Sequence, residues 1–162
     1  MREHRDGDFT HILKYINLQT NEIRLRPMQY GTASEAANLL VDIYCEQGAP
    51  VVLQSLNCRE FVQEIVGEIV KIWPNCKQLH GVVRLNSGIS EHFGDQIILE
   101  QLMSMQKRLK TNVWAQLLRF LQWEFNSSFN NELGRSVFET VYGKPPSLGL
   151  PTSKLLEAVY DK

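Results

Sequence analysis

At 162 residues the chain can bury one substantial core. Its 43% hydrophobic and 22% charged residues are ordinary for a globular protein in water. No uninterrupted apolar run approaches the roughly 20 residues of a membrane span, and the polar opening "MREHRDGDF" resembles no secretory signal. A net charge of −1 argues against tight autonomous nucleic-acid binding, which needs clustered Lys and Arg to neutralise phosphates.

The nearest approaches to such clusters are Arg24 with Arg26, and Lys107, Arg108 and Lys110, which read as a solvated face. Cys45, Cys58 and Cys76 are odd in number and lack metal-type spacing, so free thiols in a reducing compartment are expected. The chain has no internal repeat and no low-complexity stretch.

The first periodic segment, residues 9–18, is rich in β-branched residues and reads as a strand. A tight turn at Thr20-Asn21 leads to a second strand with Ile23 and Leu25 on one face and Arg24 and Arg26 on the other, ended by Pro27. "GTASEAANLLVDIYCEQG" reads as a helix capped by Thr32 or Ser34, with Glu35 in its first turn and Gly48 as its stop. Ala36, Leu39, Leu40 and Ile43 form its core stripe. Pro50-Val51-Val52-Leu53 reads as a buried strand.

A second helix, roughly 59–72, carries Phe61, Ile65, Ile69 and Ile72 at helical spacing and ends before Pro74. "CKQLHG" is a short strand and turn, and "RLNSGIS" a loop. Two longer helices follow. One runs about 90–109 with Phe93, Ile97, Leu102, Met105 and Leu109, the other about 112–126 with Trp114, Leu117, Leu118, Leu121 and Phe125. "SVFETVYG" is a short helix closed by Gly143, and residues 153–160 suit a last one. The order implies an α/β fold with a small mixed sheet.

Four pieces, "GAPVVLQSLNCREF", "WPNCKQLHG", "GISE" and "SVFETVYGKPPSLGL", resemble in that order the catalytic core of retroviral and retrotransposon integrases. The resemblance extends to integrase-like domains of vertebrate host proteins derived from such elements, some carrying KRAB or SCAN domains. It spans about Asp6 to Leu150, giving an integrase-core-like domain over 1–150 and a tail or short helix over 151–162. It implies a ribonuclease-H-like fold, a mixed sheet flanked by helices.

In the family, two Asp and one Glu hold two Mg²⁺ or Mn²⁺ ions, which activate the attacking oxygen and stabilise the leaving oxygen of a phosphodiester. The second aspartate belongs to a motif like Gln-Ser-Asp-Asn-Gly-Arg-Glu-Phe; here the motif reads "QSLNCREF", so Leu56 stands at that position and Cys58 replaces the glycine. The third carboxylate matches Glu91, with 34 residues between it and Leu56. The first belongs to a strand preceding "DGDF", so the resemblance implies a first strand that is missing or truncated. Asn17 stands where relatives often have an aspartate that is not a metal ligand. Relatives also place a polar DNA-contacting segment where this chain has "VVRLNSG".

One carboxylate of three cannot hold two divalent ions, so the resemblance implies a pseudo-integrase with no metal cofactor and only vestigial positions Leu56 and Glu91. Glu91 also has a plainer reading as a helix N-terminal carboxylate beside the dipole, with Asp95 one turn on. His80 reads as a turn histidine. His92 adjoins Glu91 but cannot face it on a helix. Cys58 has no Asp or His partner in sequence to make it a nucleophile.

The helix containing Trp114, Leu118, Leu121 and Phe125 also carries Phe120 and Trp123 on other sides. A helix apolar on more than one face is buried or meets a partner. Integrase cores pair through the corresponding helix, so a homodimer through those four residues is expected. The resulting expectation is a catalytically inactive, nuclear, interaction or dimerisation module in a domesticated mobile-element protein. Other protein partners are open to it, and membrane attachment is not expected. The alternative is a nucleic-acid-binding domain without catalysis.

Overall fold

The structure, a computed structural model, describes residues 6–55, 59–80 and 94–147. Strand β1 is His11–Asn17 and β2 Glu22–Met28; helix α1 is Ala33–Gln47; strand β3 is Val52–Ser55; helix α2 is Arg59–Ile72; strand β4 is Lys77–His80. Helices α3, Asp95–Leu109, and α4, Trp114–Ser127, follow, then a ladder of β5, Phe129–Asn130, with β6, Arg135–Ser136, and helix α5, Val137–Tyr142. The order of strands and helices follows the sequence reading; only the two-residue β5 and β6 are additions.

The described residues form three two-stranded pairs, β1–β2, β3–β4 and β5–β6. The four-residue connection between β1 and β2 is far too short for a crossover, so that pair is antiparallel. The β3–β4 pair is parallel, with Val52 opposite Lys77 and Ser55 opposite His80. Both hands of pairing are thus present, as a mixed α/β fold requires. The chain divides into two compact units, one of residues 1–7, 14–26 and 85–162, the other of residues 8–13 and 27–84.

In the first unit, period-two alternation places Ile23 and Leu25 fully inside. The opposite face of β2 is not a solvated stripe as read from sequence. Glu22 is buried, and its Oε1 pairs with Arg24 Nη2 at 2.6 Å. Pro27 does not end the strand, which runs on to the buried Met28. Proline's fixed φ suits a strand, and its lack of an N–H matters only on the side where a partner is needed.

Helix α3 begins at Asp95 after Gly94, later than the expected start near 90, and Asp95 is the carboxylate of its first turn. Its buried residues are Ile98, Leu102 and Met105, and it packs against α4. Helix α4 has no side-chain cap from Val113; Asp6 Oδ2 instead accepts from Ala115 N–H at 2.8 Å, a capping carboxylate supplied from across the sequence.

Three of the four residues expected to pair two copies through α4 are buried within the single chain. Trp114, Leu118 and Leu121 are buried in the chain itself, with Leu118 and Leu121 each 1% exposed, and Phe125 is half-buried. Such side chains belong to the core, because a second copy reaches them only by opening it. The side of α4 left accessible carries Gln116 and Arg119, with Phe120 and Trp123 half-exposed.

In the second unit, Thr32 caps α1 by accepting from Glu35 N–H, and Gly48 ends it with φ +89°. Ala33, Ala36 and Ala37 are buried on α1, which packs against α2, where Val62, Ile65 and Ile69 are buried. Tyr44 and Trp73 meet edge to face at 5.5 Å. Leu39 and Ile72, expected in the core, are half-buried and exposed respectively; Ala37 and Tyr44 take α1's inner positions instead. Nor is β3 a buried strand: Val51 is 76% and Val52 43% exposed.

Glu35 organises the loop that enters α1. Its Oε1 accepts from Gln29 N–H at 2.6 Å, and its Oε2 from Tyr30 and Gly31 N–H at 2.9 and 3.0 Å. Thr10 Oγ1 donates to Gln29 O at 2.5 Å and lies 2.8 Å from His11 Nδ1. Since that hydroxyl has one proton, already committed to Gln29, His11 Nδ1 is the donor in its bond to Thr10. The His11 ring lies so close to Gly31, at φ +64°, that a Cβ there would fall 2.8 Å from it. Burial alone would push the Glu35 carboxyl up; the three N–H donors and the nearby His11 outweigh it and hold the carboxyl below its ordinary 4.5.

A carboxyl depressed in the fold contributes stability above its unfolded value and loses it as pH falls through the folded one. Glu35→Gln is therefore expected to destabilise at pH 7 by about 1 kcal/mol, with the gap to the parent closing below pH 4.5 as the parent loses the same bonds. Urea midpoints at a series of pH values measure this. Leu121→Ala is expected to cost about 2–5 kcal/mol as a core cavity. Monomer stability extrapolated to low protein concentration separates that from loss of an intermolecular contact.

Candidate functional site

The segment singled out by sequence leaves the end of β3. The last described residue there is Ser55, and α2 starts at Arg59, so "QSLNCREF" does run from a strand through a short connection into a helix. Because β3 and β4 are parallel and Ser55 is in register with His80, the chain leaves both strands at the same end of the pair. In α/β proteins the carboxyl ends of parallel strands are where reacting groups collect. Leu56, Cys58 and Glu91 themselves lie outside the described residues, as do His92 and the 153–160 helix.

The chemistry of these side chains does not fit the two-ion centre. Leucine at 56 has no lone pair to give a hard cation, and Glu91 alone supplies too few anionic oxygens. Among the described residues, no three His, Cys, Asp or Glu side chains come together as a metal-binding group. Of the thiols, Cys45 is exposed and Cys76 buried, and both are free. Burial pushes the Cys76 thiol up, against a weaker opposing hydrogen bond from the Leu53 backbone. It is thus a poor nucleophile.

Among the described residues, several cationic side chains are engaged within the chain. Arg24 pairs with Glu22, and Arg26 Nη1 donates to Leu25 O and Gln122 Oε1 at 3.2 and 3.0 Å. Arg108 pairs with Glu124 across α3 and α4 at 3.0 Å, and Lys110 closes α3 in the left-handed conformation. Lys14 pairs with Asp95. No described helix is long and apolar enough to cross a membrane.

Sequence reasoning missed the accessible aromatic row shared by α4 and α5. Trp123 meets Phe138 at 5.3 Å and an interplanar angle of 69°, Phe138 meets Tyr142 at 4.5 Å, and Tyr142 is 51% exposed. Arg119 sits over the Phe120 ring at 5.0 Å on the same side of α4. The available signal was the placement of Phe120 and Trp123 away from the core stripe. It also missed Gln122 and Asn126, whose amides bond to β2, because no local pattern in a helix announces a strand as partner.

No protein-family model matches the chain. In sequence it is similar to the human KRAB-A domain-containing protein 2, at 32% identity over 157 residues. The match covers 96% of this chain but 32% of that protein, so the chain spans about a third of its relative's length. In structure it is similar to the HTLV-2 integrase catalytic core domain, solved in complex with magnesium in a trimeric form. The TM-score is 0.60 at 12% identity, covering 80% of this chain and 91% of that one. It is likewise similar to the catalytic core domain of BIV integrase, with a TM-score of 0.63 at 16% identity, covering 82% and 88%. The likeness read from the four sequence motifs holds at the level of architecture: this chain has the ribonuclease-H-like fold of the retroviral integrase catalytic core.

Proposed function

We propose that this chain is a catalytically inactive integrase-like domain of a domesticated mobile-element protein, working as a protein-interaction and dimerisation module in the nucleus. The observation that carries the reading is Leu56. The motif around it is kept as Gln54-Ser55-Leu56-Asn57-Cys58-Arg59-Glu60-Phe61, yet its metal-binding position holds a side chain that cannot bind a metal. The fold supports the origin. The similarity to a human protein named for a KRAB-A domain supports a host context and a nuclear location.

A fold kept without its carboxylates retains surfaces. The surface best suited to a partner is the accessible side of α4 with α5: Arg119, Phe120, Trp123 and Tyr142, aromatic and cationic residues of the kind that dominate protein interfaces. A second copy of the chain is the partner assigned to it, in keeping with the pairing that the family resemblance implies. It replaces the buried set Trp114, Leu118 and Leu121. Nucleic-acid binding is the weaker reading, since the arginines nearest to a cluster are held in intramolecular bonds.

Calorimetric titration with Mn²⁺ tests the loss of chemistry: the parent is expected to give no saturable heat, and saturable binding by the parent overturns it. A Leu56→Asp variant run alongside shows whether a carboxylate at that position gives weak binding. Sedimentation tests the surface. Phe120→Asp is expected to weaken self-association at least about tenfold while leaving the urea midpoint near that of the parent. A parent that stays monomeric at all accessible concentrations overturns the dimer.

A further inference from the structure

The outward edge of β2 is occupied by side chains. Thr10 N–H donates to Met28 O at 2.9 Å, so the even-numbered positions of β2 face β1 and the odd-numbered ones face away. On that outward edge, Ile23 N–H donates to Asn126 Oδ1 at 3.0 Å and Ile23 O accepts from Asn126 Nδ2 at 2.9 Å. Leu25 N–H donates to Gln122 Oε1 at 2.9 Å, and Leu25 O accepts from Arg26 Nη1 at 3.2 Å. The next outward position is Pro27, which has no N–H to offer.

The spacing explains how a helix does this. Residues two apart on a strand lie about 6.6 Å apart, and residues four apart on a helix about 6 Å along its axis. Gln122 and Asn126 therefore fall in step with Leu25 and Ile23. Asn126 presents its amide as a neighbouring strand would present its peptide group, one donor and one acceptor to the same residue. Asn126 is buried, so this pairing is shielded from competing water.

We propose that Gln122, Asn126 and Arg26 form an edge guard, a built-in block that keeps β2 from adding a strand of a second copy of this chain. An uncovered edge carrying Ile23 and Leu25 would be a ready template for such addition. The guard takes every outward hydrogen-bonding group of residues 23 and 25. The inference stands whether or not the α4 and α5 surface dimerises.

The test combines hydrogen exchange on the parent with two variants, Gln122→Leu, which uncovers Leu25 N–H, and Arg26→Met, which uncovers Leu25 O. In the parent, Ile23 and Leu25 amides are expected to exchange slowly. In Gln122→Leu, Leu25 exchange at low protein concentration is expected to rise on the order of tenfold. A larger species is expected to appear in sedimentation as concentration rises, and to re-protect Leu25. The same behaviour is expected in a Phe120→Asp background, which separates edge pairing from the helical surface. Arg26→Met carries the test if Gln122→Leu does not fold. Fast exchange of both amides in the parent overturns the proposal. So does a folded variant that sediments as the parent at every concentration.

Discussion

The first unit hangs on one match of spacing: a two-residue step along β2 equals a one-turn step along α4. Asn126 and Gln122 use it to pair with Ile23 and Leu25. The same arrangement presses the apolar faces together, since Ile23, Leu25, Leu117, Leu118 and Leu121 are all at most 2% exposed. Buried amides of this kind are costly unless satisfied, and here each is bonded to a backbone group that would itself be unpaired. The helix is fixed at its start as well, by Asp6 at Ala115 N–H. Its register along the strand is therefore set by directional bonds and its depth by apolar contact.

The second unit is organised around a charge. Glu35 gathers three consecutive backbone N–H groups and so fixes how the chain enters α1 after β2. Helix α1, with its buried alanines, packs against α2, where Val62, Ile65 and Ile69 are buried. The strand pair of this unit is the unusual part. A parallel pair is normally covered on both faces, yet Val52 and Leu79 stand 43% and 56% exposed. The chain leaves this pair at its carboxyl end toward position 56, which is leucine.

A leucine at position 56 and the ribonuclease-H-like fold are physically compatible. Carboxylates gathered at strand ends cost stability through mutual repulsion, so a leucine at such a position is compatible with the same core. What holds the described residues together is the amide pairing of α4, the Glu35 hub and the packed helices. None of these involves residue 56. The proposed role as an interaction module follows from that separation of scaffold and site.

Much of this was legible from sequence because the signals are local. Apolar periodicity located the helices and strands, Thr32 and Glu35 marked the start of α1, and Gly48 and Gly143 marked helix ends. The motif order pointed to the fold, and the identity of residue 56 spoke about metal chemistry without any coordinates. Pattern alone could not show how deeply a helix face is buried: Trp114, Leu118 and Leu121, read as a pairing surface, are buried within the single chain. It could not show that Pro27 sits on the outward edge, where a missing N–H costs nothing. Nor could it show that Asp6 caps a helix 109 residues away, or that two amides of α4 close a strand. Those are contacts between residues far apart in sequence, and only the folded chain brings their partners within hydrogen-bonding distance.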